Sequence, residues 1–238
     1  MSQLKRLYVA GVRAVRPVAA SVGLLSALEK QGPGSRGARW ARSLFAIYDI
    51  DQMTRLDLAW WTLDALDKVD GFLKQRPNAR AFEYGSGASS VWLAKRVAEL
   101  TSVEHDGSWA DVVAAKLRDF PNATLKFRPA DDTPHADRRY ASEKPGWVGR
   151  TFHSYVHAID ETEGSFDLIV VDGRARGACL DVARNRLAPG GMIVFDNSRR
   201  PRYRAAIAAS GLRAETTGGL TACLPYPDET TLLRHGGT

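Results

Sequence analysis

The sequence predicts an α/β chain, with a doubly wound, mostly parallel sheet preceded by a helical extension. Two patterns carry the prediction. Beyond Pro77 short apolar runs alternate with longer helical patterns, which argues for strands covered by helices on both faces. Before Pro77 the apolar residues recur three and four apart, the period of helices that bury one side. At 238 residues, 44% hydrophobic and 25% charged, the chain has ordinary globular composition and the length for one large domain or one with an appendage.

The first segment, "LKRLYVAGVRAVRP", reads as an amphipathic helix. Leu4, Leu7, Tyr8, Val12 and Val15 share an apolar face, Lys5, Arg6, Arg13 and Arg16 a basic one, and Val9 falls on the wrong side. Residues 1–42 hold eight Lys/Arg and one acid, a net +7, whereas the rest of the chain sums to −1. The basicity therefore belongs to the arm, which weakens any inference from charge to nucleic acid. A basic amphipathic helix packs on its own domain with a solvated basic face, the plainer reading, or lies on an anionic membrane, in which case residues 1–30 are the peripheral contact. A secretory signal fits poorly, because arginines precede "PVAASVGLLSAL" and Glu29-Lys30 follows it. No apolar run reaches the length of a membrane span.

"QGPGSRGAR" at 31–39 reads as a linker, and Leu44 to Leu73 as a helical lid containing Trp60 and Trp61. The expected divisions are a basic arm and linker over 1–42, a helical lid over 43–76, and the α/β domain over 77–238. Five strand–helix steps follow: "RAFEYG", "LTSVEHD", "ATLKFRPAD", "FDLIVVDG" and "GGMIVFDN" are the strands, and "RAETTGG" and "ETTLLRH" close the series. The polar stretch from about 131 to 164 is too long for an ordinary connection and reads as a functional insertion or lid. Cys179 and Cys223 have no ligand-like spacing and read as idle thiols of a reducing, cytoplasmic compartment.

In an open α/β sheet, ligands bind beyond the carboxyl ends of the strands. Here those ends are acidic: Glu83, Glu104, Asp131-Asp132, Asp172 and Asp196. Glu83 stands two residues before the Gly85-Ser86-Gly87 turn, where a dinucleotide phosphate would be repelled, and Ser90 replaces the third glycine of a dinucleotide fingerprint. A cap on the next helix is the plainer role for Glu83. A row of acids instead calls for a nucleoside that carries a cation and no phosphate, which S-adenosylmethionine satisfies. A dehydrogenase is disfavoured by the same residue.

"FEYGSG", "SVEHD", "FDLIVVDG" and "GGMIVFDN" together resemble the successive motifs of the class I S-adenosylmethionine-dependent methyltransferases, over roughly residues 78–236. The resemblance implies a Rossmann-like sheet of about seven strands with the last antiparallel. It implies that Gly85, Ser86 and Gly87 admit the cofactor backbone-close, that Glu83 supports its methionine end, and that Glu104, next to His105, accepts from the ribose hydroxyls. Asp131 or Asp132 would meet the adenine. Asp172, Asp196 and Asn197 resemble the Mg²⁺ site of catechol- and macrocin-type O-methyltransferases. There the metal would lower the pKa of an acceptor hydroxyl. The lysine base of the catechol type is missing, with Ala175 in its place. His153 and His157 are the substitutes, or else a solvated helix face.

Arg174, Arg176, Arg199, Arg200 and Arg202 either bind an anionic acceptor or balance the acids. The expected activity is methyl transfer to a hydroxyl of a small molecule or glycan. The rivals are an RNA methyltransferase, an aminopropyl-transferase-like enzyme, or a nucleoside-binding protein without chemistry. No DNA partner is expected, because "DGRARG" follows strand four where base-amine methylases carry an aromatic tetrad. The apolar arm and paired tryptophans make a homodimer an expectation.

Overall fold

The computed structural model describes residues 3–236. Five helices come first: α1 (Gln3–Ser21), α2 (Leu24–Gln31), α3 (Arg36–Leu44), α4 (Ile50–Arg55) and α5 (Leu63–Lys74). Strands and helices then alternate through β1 (Arg80–Tyr84), α6 (Ala88–Ala94), β2 (Glu99–Glu104), α7 (Gly107–Leu117) and β3 (Ala123–Phe127). After the insertion come α8 (His153–Val156), β4 (Phe166–Val171), α9 (Arg176–Ala183), β5 (Leu187–Asp196), α10 (Pro201–Ala209), β6 (Arg213–Gly219) and β7 (Asp228–Arg234). The seven strands form one sheet in the order β3-β2-β1-β4-β5-β7-β6. The first five are parallel, and β7 runs antiparallel to both β5 and β6.

Alternation along the central strands separates two cores. Ala81, Leu168, Val170, Met192 and Val194 face one side. Phe82, Ile169, Val171, Ile193 and Phe195 face the other. This is the period-two consequence of the pleat for strands covered on both faces. The first side also receives Val9, Met53, Leu58, Trp61 and Leu66. The arm and lid expected over 1–42 and 43–76 thus share a core with the sheet. Backbone pairing adds to this: Leu63 donates to the Leu220 carbonyl, Ala222 to that of Trp61, and the Trp40 indole to that of Leu224.

Several local expectations change. The stretch 31–39 is no linker, because the Ser35 hydroxyl caps α3 and Arg36 and Arg39 of that helix pair with Asp64 and Asp67 on α5. The segment 44–73 breaks into two helices around 56–62, where Thr62 makes a bridge with Thr221 and caps α5. On α1, Val9 is buried with Tyr8 and Val12 packed beside it, while Leu7 and Val15 are exposed, so the assigned apolar face splits and Val9 joins the inward part. Docking is set by Arg16, which pairs with Asp49 at 2.6 Å, and by Arg13, which donates to the Tyr48 carbonyl. Leu4, Lys5 and Arg6 lie outside the described side chains. Strand three stops at Phe127, four residues short of Asp131, because its neighbour β2 ends at Glu104, the residue paired with Phe127.

Candidate functional site

The chain winds outward from β1 to β3 and returns to β4, so the turns after β1 and β4 meet at the point where the winding reverses. They touch backbone to backbone. A Cβ on Gly85, whose φ is 93°, would stand 2.8 Å from the Gly173 Cα. A Cβ on Gly173 would stand 1.9 Å from the Tyr155 hydroxyl oxygen. Only glycine serves at either position. Above this junction opens a cavity of about 1070 Å³. Its walls come from the β1 and β2 ends, the β4 and β5 ends, the insertion around Arg138–Trp147, and Ile47, Tyr48 and Trp60 of the helical extension. Trp61 by contrast is buried against Trp92, so the adjacent tryptophans have separate roles.

Glu83 does not reach the cavity surface. It is fully buried on the α6 side of β1, and its Oε2 accepts the hydroxyls of Ser90 at 2.5 Å and Ser102 at 2.6 Å. Ser90 in turn accepts the Gly87 N–H at 3.0 Å. Glu83 therefore braces the glycine turn from beneath, through a serine, which combines the capping role with support of the turn. Its Oε1 is buried without a hydrogen-bond partner among the described residues. Burial raises the carboxyl from 4.5 to about 7, against the hydroxyl donors that favour its charged form.

Glu104 lines the cavity at the end of β2. Its Oε2 accepts the backbone N–H and the hydroxyl of Ser86, at 3.0 and 2.9 Å, and its Oε1 accepts the N–H groups of His105 and Asp106. The His105 Nδ1 also lies 2.6 Å from Oε1. Burial pushes this carboxyl up, but the donors from His105 and Asp106 outweigh it and hold the group below its ordinary range. Arg174 donates from Nε to His105 Nε2 at 2.8 Å. A guanidinium only donates, so Nε2 carries the lone pair and the ring proton sits on Nδ1, facing Glu104. Asp106 is spent on capping α7 through Trp109 N–H, while the Trp109 indole donates to the Ser86 carbonyl at 2.8 Å. The whole Ser86–Gly87 turn is thus held from two strands and a helix.

Asp172 and Asp196 meet on opposite sides of Arg176, the sole buried guanidinium of α9. Arg176 reaches Asp172 Oδ1 at 2.5 Å and lies 3.9 Å from Asp196 Oδ2, and it donates to the carbonyls of Asp172, Gly173 and Asp196. Asp196 Oδ1 accepts the Thr230 hydroxyl at 2.9 Å. Asn197 donates to Asp228 Oδ2 at 3.0 Å and accepts from Arg200 at 2.9 Å. Burial raises both Asp172 and Asp196, Asp196 further because Asp172 is its neighbour, and Arg176 pulls both back.

The expected Mg²⁺ set does not fit this arrangement. An arginine cation already stands between the two carboxylates, and the Asn197 oxygen is taken by Arg200. Among the described residues no group of three or more His, Cys, Asp or Glu is placed to hold a metal.

Other expected residues lie elsewhere. Asp131 caps α8, accepting the N–H groups of His153 and Ser154 at 2.7 and 3.0 Å, and Asp132 is exposed. Neither lines the cavity, because the strand ended too early to deliver them. His153 and His157 stand outside the cavity as well. His153 stacks on His135 with centroids 4.6 Å apart, and His157 holds Asp160 and the Tyr140 hydroxyl. Arg199 is exposed and turned away, whereas Arg200 and Arg202 line the wall.

The sequence reading missed Asp228 and Trp147. Asp228 was findable: β7 antiparallel to β5 pairs Thr230 with Asp196, which brings the acid two residues earlier to the same edge. Trp147 packs edge-on to His105 at 4.9 Å and had no local signal.

A family model described as "Methyltransferase domain" matches residues 82–198, from within β1 to the residue after Asn197. None of the curated proteins matches the chain by sequence. Among solved structures, precorrin 8w decarboxylase of Methanobacterium thermoautotrophicum is 15% identical, with a TM-score of 0.51 over 74% of this chain and 90% of that one. A methyltransferase-like protein of Silicibacter pomeroyi is 23% identical over 72% of this chain and 87% of that one, with a TM-score of 0.46. The N-methyltransferase NodS of Bradyrhizobium japonicum, in complex with S-adenosyl-L-homocysteine, is 16% identical over 73% and 86%, with a TM-score of 0.45.

Proposed function

Because the chain belongs to the class I S-adenosylmethionine-dependent methyltransferase superfamily, we propose that it transfers a methyl group to a hydroxyl oxygen of an anionic small molecule or glycan, without a divalent cation. When bound, S-adenosylmethionine supplies an electrophilic methyl group on a sulfonium. The Gly85–Gly87 turn and Glu104 are the residues that would hold it. Of the partners of Glu104, the Ser86 hydroxyl is the one that can turn aside by side-chain rotation, which frees an acceptor for a ribose hydroxyl.

The observation that carries the reading is the Asp172 carboxylate. It lines the same cavity as the glycine turn, one oxygen is fixed by Arg176, and the other has no protein hydrogen bond among the described residues. Burial raises its proton affinity, which suits a carboxylate to accept the proton of an acceptor hydroxyl. Methyl transfer is an in-line displacement, so holding that hydroxyl in place is the other requirement. Arg200 and Arg202 on the wall match a carboxylate or phosphate on the acceptor.

The test pairs S-adenosylhomocysteine titration with methyl transfer from labelled S-adenosylmethionine to a panel of uronates, sugar phosphates and phenolic acids. Glu104→Gln should weaken S-adenosylhomocysteine binding about tenfold or more, the scale of one charge-assisted hydrogen bond or two. Asp172→Asn should retain binding and lose transfer by about a hundredfold or more. Undiminished transfer by Asp172→Asn, or a product methylated on nitrogen or carbon, would contradict the proposal.

A further inference from the structure

The outward face of α1 is apolar and uncovered. Tyr8, Val9, Val12 and Ala19 turn toward the domain, whereas Leu7, Val15 and Val18 stand 71%, 56% and 62% exposed. Val22 and Leu24, at the corner into α2, add 72% and 44% exposure. Positions 7, 15, 18 and 22 lie on one helical stripe, and Gly11 and Ala14 within it are also exposed. Half of the ten large exposed hydrophobics among the described residues fall within these 18 positions, so the exposure is concentrated rather than scattered. No single helix there is long and apolar enough to cross a membrane, and α1 and α2 are bent by 86° at their junction.

Charge selects the occupant. Residues 1–42 carry a net +7 against −1 for the remainder. Arg16, Arg36, Arg39 and Arg42 are neutralised by Asp49, Asp64, Asp67 and Glu29. Lys30 is exposed and has no acidic partner among the described residues, whereas Arg13 donates to the Tyr48 carbonyl, beside Asp49. An apolar face without acids among the described residues, with Lys30 exposed at the end of α2, complements an anionic bilayer, which takes apolar side chains below its headgroups and bases among them.

We propose that α1 and its corner with α2 lie in the surface of an anionic membrane, with Leu7, Val15, Val18, Val22 and Leu24 as the inserted residues. The inference goes beyond the proposed reaction and does not depend on it. It also assigns the membrane to the face opposite Val9 and Val12, and gives Arg16 a structural role in docking the helix.

The full chain is sedimented with vesicles of phosphatidylcholine alone or mixed with phosphatidylserine, and its mass in solution is measured alongside. Wild type should pellet with the mixed vesicles, with Lys30 adding about fivefold over neutral vesicles. Val15→Asp with Val18→Asp should lower partitioning at least about tenfold, while the unfolding midpoint and S-adenosylhomocysteine affinity stay at wild-type values, since both positions face solvent. The proposal is overturned if wild type stays in the supernatant with both vesicle types, or if the double variant pellets equally. It is also overturned if wild type is a dimer that the double variant converts to monomer.

Discussion

Replacing Glu83 by glutamine removes a charge and keeps the shape. In the wild type the carboxyl is fully buried, bound by two serine hydroxyls on one oxygen and unpartnered on the other. Its affinity for a proton is raised from 4.5 to about 7. A carboxyl raised on folding stabilises the native state most below its unfolded pKa, and that contribution is lost as pH climbs through the folded value. The displacement corresponds to about 3 kcal/mol, at about 1.4 kcal/mol per pH unit. For a chain of this length that is roughly 6–12 °C in unfolding midpoint.

Glutamine keeps an acceptor for Ser90 and Ser102 and cannot ionise, so any fixed cost of its amide is the same at every pH. Urea unfolding of both proteins between about pH 4.5 and about pH 8 should show the wild type losing about 3 kcal/mol relative to Glu83→Gln. Asp172 and Asp196 are present in both and largely cancel from the difference. A difference between the two proteins that stays flat across the interval would refute the reasoning.

Arg176→Met should cost about 3–5 kcal/mol, because it leaves Asp172 and Asp196 buried without their shared cation. The loss should be larger at pH 8 than at pH 5, since both carboxyls are already raised by burial and protonation relieves them. Adding Asp196→Asn should recover part of it, which denaturant unfolding at the two pH values can measure. Gly173→Ala should destabilise by about 1–3 kcal/mol through contact with Tyr155, and Tyr155→Phe in the same chain should return a fraction. Mn²⁺ added to the wild type should give the free-ion paramagnetic spectrum, and S-adenosylhomocysteine affinity should be equal with and without chelator. An ion bound in a manner lost with Asp196→Asn would restore the metal site.

The strand series and the acids of the ligand edge at Glu104, Asp172 and Asp196 were legible in the sequence, because each depends on local rules. Period-two burial writes a parallel strand as a continuous apolar run, and the residue after that run sits at the ligand edge by topology alone. Asp131 shows where local counting fails. The stretch "ATLKFRPAD" reads as one strand, but the ladder ends where β2 does, opposite Phe127, and the acid four residues beyond became a helix cap. The faces of α1 failed for another reason. Its sequence contains two apolar stripes, and the choice between them rests on Asp49 and Tyr48, more than 30 residues away.

From its own residues the chain determined the fold class, the order of its elements and the glycine turn at Gly85–Gly87. The tertiary structure alone decided what each acid does. Glu83 braces the turn from below, Glu104 holds Ser86 and His105, and Asp172 and Asp196 share Arg176. The reason is physical: a carboxylate's role depends on which donors and cations reach it and on how deeply it is buried. Those neighbours come from other strands and helices, brought together only when the sheet closes.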